Sequence, residues 1–257
     1  MCYWVGTKKV REEMEKRVKA GPQDEIATLF YEAFIAKSDL EFKEHYVAIG
    51  KGKPELTALI KDEGKLQFRN MQWTLLYSYF DKKTNATVTR ELLNSTCERV
   101  FFQHKDLIYN QRCIVPIDGY FEYYHFNGET YPHYIYPAKN GVFYAGGIHE
   151  RRLNQETGEV SDTVSIITTP PNPMVAKIHN NPKAPNGSRM LLLIEQEKAL
   201  DYLNEKLTKP EIEKFFKPYN EVEMKAHPVL RFQRKEYFQF VNSPKVQEPF
   251  SYPELVA

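Results

Sequence analysis

Between residues 8 and 19, apolar side chains recur every four positions, at Val10, Met14 and Val18, among charged neighbours, and Gly21-Pro22 ends the run. That spacing predicts an amphipathic surface helix. Residues 111–164 have a different rhythm, in which stretches rich in Tyr, Phe, Ile and Val are interrupted by Asp118-Gly119, Asn127-Gly128 and Asn140-Gly141. These dipeptides tolerate the left-handed backbone of tight turns, so consecutive antiparallel hairpins are predicted. Residues 165–169 add one apolar strand, halted by Pro170-Pro171. From there to residue 188, Pro, Asn and Gly predict a long loop, of a length that often carries function. Helices are predicted over 195–206 and 211–216, the second opened by a Thr208/Glu211 capping box with Pro210 in its first turn. No repeat, low-complexity tract or linker divides the chain. The pattern therefore predicts an α+β fold, mostly antiparallel, as a single domain over residues 1–257.

The composition is that of an ordinary globular protein, 42% hydrophobic and 27% charged over 257 residues,. No apolar run approaches the ~18 residues of a membrane span. The chain reaches Lys8, Lys9 and Arg11 without a signal-peptide core, so a cytoplasmic protein with no membrane partner is expected,. The three cysteines, Cys2, Cys97 and Cys113, are odd in number and widely spaced. Neither a disulfide framework nor a metal site is indicated, and Cys97 and Cys113 are expected to be core thiols. A net charge of +1 does not advertise nucleic-acid binding, so such a partner has to be argued from a local site,. Aromatic content is high, with 17 Tyr and 16 Phe, and such rings either fill a core or offer stacking platforms to unpaired bases,.

Cys2 directly follows Met1. A small second residue permits removal of the initiator, after which Cys2 would carry an α-amine and a thiol as a 1,2-aminothiol. Such a pair condenses with an aldehyde to an imine, and the thiol then closes a five-membered thiazolidine. Ordinary pKa values of ~7.7–8.0 for the amine and ~8.5 for the thiol leave part of each reactive at neutral pH. The chemistry needs no cofactor and no metal.

The segment Arg112-Cys113-Ile114-Val115-Pro116-Ile117-Asp118-Gly119-Tyr120-Phe121-Glu122-Tyr123 resembles the R-C-L-x-P-x-x-G-F-[FY]-E-W stretch of the SRAP family, the SOS response-associated peptidases or abasic-site processing proteins. Gln72-Trp73-Thr74-Leu75-Leu76 is similar to the family's R-W-G-L-[IV], and Leu93-Asn94-Ser95-Thr96-Cys97-Glu98 to its [IL]-N-A-R-x-E. Downstream, Thr168-Thr169, Ile178-His179, Arg189-Met190, His227-Pro228 and Glu248-Pro249-Phe250 resemble further family elements in order. The resemblance implies a barrel-like fold with peripheral helices, and a protein that captures the aldehyde of abasic sites in single-stranded DNA.

In that reading Cys2 is the nucleophile of a mature chain beginning at residue 2. Asn94 holds the amine or the opened sugar, Glu122 is the general acid/base, and His179 moves the proton at the sugar hydroxyl. Trp4, Trp73, Thr96, Phe121, Thr168 and Arg189 are the implied DNA-binding positions, Thr168 and Arg189 at phosphate. A monomer, associated with the nucleoid when bound to damaged DNA, is expected. Two other functions compete: a cysteine-type peptidase that removes its own Met1, and a divergent binding protein on the same fold. The departures from the pattern bear on the choice. The family's M-C-G-R opening is here Met1-Cys2-Tyr3-Trp4, its N-A-R arginine is Thr96, the tryptophan after the glutamate is Tyr123, and the proline after R-M is Leu191. The groove is therefore expected to be more aromatic and less basic than the family's.

Overall fold

A computed structural model of the chain describes residues 3–21, 24–37, 40–139, 141–153 and 157–255. At its centre the strands Glu55–Asp62, Lys65–Trp73, Arg112–Ile117, Phe143–Leu153 and Val160–Thr169 form a closed ring. Four of the five pairings are antiparallel, and the ring closes where Gln72 and Trp73 pair in parallel with Thr163 and Val164. Closure leaves these strands no open edge.

The two-residue period of the strands sorts their side chains into two cores. Leu56, Ala58, Ile60, Cys113, Val115, Ile117 and Val164 pack with Trp73 in one cluster. Their neighbours Leu59, Ile114, Tyr144 and Ile167 join a second, with Val10, Met14, Ile26 and Phe30 of the covering helices. Helix Val10–Ala20 buries Val10 and Met14, as its spacing predicts. It packs beside Glu25–Tyr31, which Asp24 caps by accepting the Ala27 N–H (2.9 Å),. Strands covered on both faces are buried at successive positions, as Glu55–Asp62 is from Leu56 to Ile60,.

A second sheet lies against the ring, in the spatial order Met224–Pro228, Glu129–Pro137, Gly119–Phe126, Trp4–Gly6 and Ala48–Ile49. Its far face is covered by Val229, Phe232, Val241 and Val246, which pack on Phe121 and Tyr134. The fold is α+β, mostly antiparallel, with the helices at the periphery.

Of the predicted turns, Asn127-Gly128 forms a hairpin between Gly119–Phe126 and Glu129–Pro137, with φ of 48° and 79°,. Asp118-Gly119 does not. The strands on either side of it belong to different sheets, and Asp118 is the point at which the chain crosses from the ring to the second sheet. Its buried carboxylate accepts the Lys9 N–H (2.7 Å) and the Tyr134 hydroxyl (2.7 Å), and its N–H donates to the Gly6 carbonyl (2.9 Å). This ties the N-terminal strand to the motif strand. Asn140 lies outside the described residues, and the strands flanking Asn140-Gly141 likewise belong to different sheets. The predicted loop over 170–188 contains a helix, Pro173–Ile178, capped by Asn172. The helix predicted over 195–206 is shorter, Ala199–Tyr202, and that predicted over 211–216 runs instead over Lys209–Glu213, opened by the expected Thr208/Glu211 capping box.

Gly119 is required by close approach: a Cβ there would lie 2.5 Å from the Ile135 carbonyl and 2.5 Å from the Tyr134 ring. Gly119→Ala should therefore cost ~1–3 kcal/mol by overpacking. Urea denaturation checks this, and an unchanged midpoint would show that the sheet yields freely there.

Candidate active site

The Trp4–Gly6 strand leads the chain into its place beside the motif strand, with Val5 opposite Tyr120 and Gly6 opposite Gly119. The Gly50 N–H donates to the Tyr3 carbonyl (2.8 Å). A Cβ on Gly50 would meet that carbonyl at 3.2 Å, Leu93 Cδ1 at 2.8 Å and the Trp73 ring at 3.3 Å. Only glycine lets the start of the chain and the Trp73–Leu93 floor come this close. The motifs do not mark Gly50, and the closely spaced glycine pair of Ile49-Gly50-Lys51-Gly52 is the signal that could have found it.

Next to Tyr3 and Trp4 is a cavity of about 340 Å³ whose walls include Glu122, Tyr123, His125 and His179. Trp4 meets Tyr123 edge to face, with ring centroids 4.9 Å apart. Glu122 is reached by strand alternation from Tyr120, and His179 ends the Pro173–Ile178 helix. The two are buried, with Glu122 Oε2 3.7 Å from His179 Nδ1. Burial pushes the Glu122 carboxyl up to about 7,. It also lowers the His179 imidazole, an effect partly offset by the Arg189 carbonyl 2.9 Å from Nδ1. Burial thus disfavours charge on both partners, and a carboxyl that titrates near neutrality can both give and take a proton there.

Asn94 is buried on the short strand Asn94–Thr96, which pairs in parallel with Ile166–Thr168 at the end of the ring. The Trp73 Nε1–H donates to the Leu93 carbonyl (2.8 Å) and fixes the backbone just ahead of Asn94. Asn94 and Thr96 line an adjoining cavity of about 440 Å³, and Pro185 and Asn186 border both cavities. The fold therefore brings Glu122 and His179 together and sets Asn94 in the neighbouring compartment. Cys2 lies outside the described residues.

The expected DNA contacts divide. Trp4 is partly exposed in the first cavity and Thr96 lines the second. Trp73, Phe121 and Thr168 have no exposed surface and offer no side chain to a ligand: Trp73 packs inside the ring, Phe121 against Phe232, and Thr168 beneath Ser95. Arg189 is buried, bidentate to Glu98 (2.7 and 2.9 Å), and donates to the Thr168 carbonyl (2.6 Å). Two of its three guanidinium nitrogens are engaged by the Glu98 carboxylate and the Thr168 carbonyl, while its backbone N–H and carbonyl lie 3.1 and 2.9 Å from His179 Nδ1. Burial pushes the Cys97 thiol up to about 11 and the Cys113 thiol higher still, as expected of unreactive core thiols,. Among the described residues, no three His, Cys, Asp or Glu side chains come together as a metal site, and no helix is long and apolar enough to cross a membrane.

The chain is 26% identical over 197 residues to the abasic site processing protein YoqW of Bacillus subtilis, covering 76% of this chain and 80% of that one. It is 25% identical over 193 residues to the abasic site processing protein YoaM of the same organism, covering 74% and 77%. A crystal structure of a Bacteroides thetaiotaomicron protein superposes with a TM-score of 0.70 at 24% identity, over 97% of this chain and 100% of the other. A Bordetella bronchiseptica protein does so with a TM-score of 0.64 at 17% identity, over 89% and 100%. The model of the SOS response associated peptidase (SRAP) family matches residues 1–232, and the chain belongs to that family.

Proposed function

We propose that this protein processes abasic sites in single-stranded DNA, and that Cys2 captures the lesion's aldehyde as a thiazolidine. The observation that carries the proposal is the buried Glu122–His179 pair in a cavity walled by Tyr3, the residue that follows Cys2. Cys2 directly precedes Tyr3 in the chain, which is what connects a reactive residue 2 with this pair. The Bacillus relatives are named abasic site processing proteins, which supports the abasic-site part of this reading.

In this mechanism Met1 is first removed, because an acylated amine cannot condense. The α-amine of Cys2 adds to the aldehyde of the ring-opened sugar to give a carbinolamine. Glu122, protonated, donates to the departing hydroxyl, and water leaves as the imine forms. The thiol then adds to the imine carbon and its proton passes to the new ring nitrogen, with Glu122 or His179 as relay. Overall, one water is lost. Asn94, next to the reacting compartment, offers an amide donor and acceptor to the opened sugar.

Intact mass spectrometry after incubation with abasic single-stranded DNA tests the proposal. The expected mass is that of the chain without Met1 plus the oligonucleotide, less one water. A chain that loses Met1 but forms no adduct would favour the peptidase reading, and an adduct on a chain that retains Met1 would overturn the role of the Cys2 amine.

A further inference from the structure

We propose that the cavity beside Asn94 is a subsite for the nucleotide flanking the lesion, with Tyr77 and Tyr79 as a stacking platform for its base and Arg90 and Arg99 as partners for phosphate. This rests on the reading of the substrate as abasic single-stranded DNA. The strands Leu76–Asp81 and Ala86–Glu91 form a hairpin joined to neither large sheet. Directly below it, Leu75 and Leu92 exchange backbone hydrogen bonds (3.0 and 2.8 Å), and two residues later the chain reaches Asn94. The hairpin's position relative to the reactive compartment is thereby fixed through the backbone.

Strand alternation turns Tyr77 and Tyr79 to one face of this hairpin. Their rings lie 5.6 Å apart at 22°, Tyr77 rests edge-on against the buried His104, and the Arg90 guanidinium sits 5.4 Å from the Tyr79 ring. Arg99 and Gln103 face them from the Val100–Gln103 helix and the residue before it. No carboxylate lines the cavity, and neither Arg90 nor Arg99 forms an ion pair among the described residues. In a chain whose charges nearly cancel, two guanidinium groups without carboxylate partners beside stacked, partly exposed rings suit an anionic ligand with a flat face. A nucleotide has both features, since every base offers a π-face and every linkage a phosphate. Pro185 and Asn186 border this cavity and the one holding Glu122, so a strand crossing them would place adjacent nucleotides in adjacent compartments.

The test is fluorescence anisotropy of the full chain with a labelled single-stranded oligonucleotide carrying a tetrahydrofuran abasic analogue, which cannot form a covalent bond. Tyr79→Ala should weaken binding roughly tenfold and Tyr79→Phe should restore it, because the ring and not the hydroxyl does the stacking. Deleting the base on one side of the analogue should weaken binding to the wild type about as much, and add little in Tyr79→Ala. Arg90→Gln and Arg99→Gln should each flatten the slope of log affinity against log salt by about 0.7. Wild-type affinity indifferent to the loss of either flanking base, or an unchanged Tyr79→Ala, would overturn the subsite. Covalent capture is read separately by mass on reactive abasic DNA. Weakened binding by Tyr79→Ala that still gives the adduct at saturating DNA supports the subsite, whereas wild type that binds the analogue and never forms an adduct overturns the Cys2 chemistry alone.

Discussion

Cys2→Ala protein is expected to bind abasic single-stranded DNA yet yield no adduct that survives denaturation. Alanine is small enough to permit Met1 removal, so the variant would keep the α-amine and could still form an imine. An imine without a neighbouring thiol has no ring to close and returns to aldehyde and amine in water. Borohydride present during the reaction should therefore trap the variant's N-terminal amine on DNA, whereas borohydride added after denaturation should trap nothing. The wild type should give a durable band under both conditions. Thermal melting of the variant should match that of the wild type, because among the described residues the N-terminal strand is anchored through Asp118, Gly6 and Gly50. A Cys2→Ala adduct as durable as the wild type's would remove the thiol from the mechanism.

The fold class and some local signals were legible, whereas the sheet that each strand joins was not. Asn127-Gly128 could be read as a turn because its left-handed backbone is dictated by the residues themselves,. Asp118-Gly119 has the same appearance, yet what it does is set by which sheet each flanking strand joins, and no local period carries that information. The helix Pro173–Ile178 was hidden in a Pro-rich stretch, although Asn172 as cap and Pro173 in the first turn are its ordinary start signals,. At the site, Glu122 and His179 could be named from their motifs, and the fold sets them 3.7 Å apart although 57 positions separate them in the chain. Trp73 and Phe121 illustrate the limit. Aromatic side chains are more often core than platform, and the packing of the ring and of the C-terminal segment makes both of these core,. The rings that remain partly exposed, Tyr77 and Tyr79, stand on a hairpin the motifs did not mark.

Glu122→Gln should slow adduct formation by a factor on the order of 10²–10⁴, the usual contribution of a positioned general acid or base, while making the protein more stable above neutral pH. The two effects share one cause. The folded-state pKa of about 7 lies above the ordinary 4.5 because burial penalises the carboxylate,. Between those values the folded state holds a proton that the unfolded state has released, so the wild type loses stability as pH rises from about 4.5 to about 7,. At ~1.4 kcal/mol per pKa unit the accumulated loss is roughly 3 kcal/mol, full above neutrality and absent below the unfolded pKa. A glutamine amide fills the same space without a charge to bury. Urea melts should therefore show variant and wild type nearly equal at about pH 4, with the variant ahead by roughly 3 kcal/mol at about pH 8. The raised pKa of Asp118, pushed up to about 6 by its own burial, contributes to both proteins and cancels in the comparison. Single-turnover crosslinking of the wild type should show a limb bending near pH 7 that the variant lacks, leaving only the rise from the Cys2 amine and thiol. A variant that crosslinks as fast as the wild type would overturn the proton-transfer role, and equal stabilities at the higher pH would show that Glu122 is better solvated than its burial indicates.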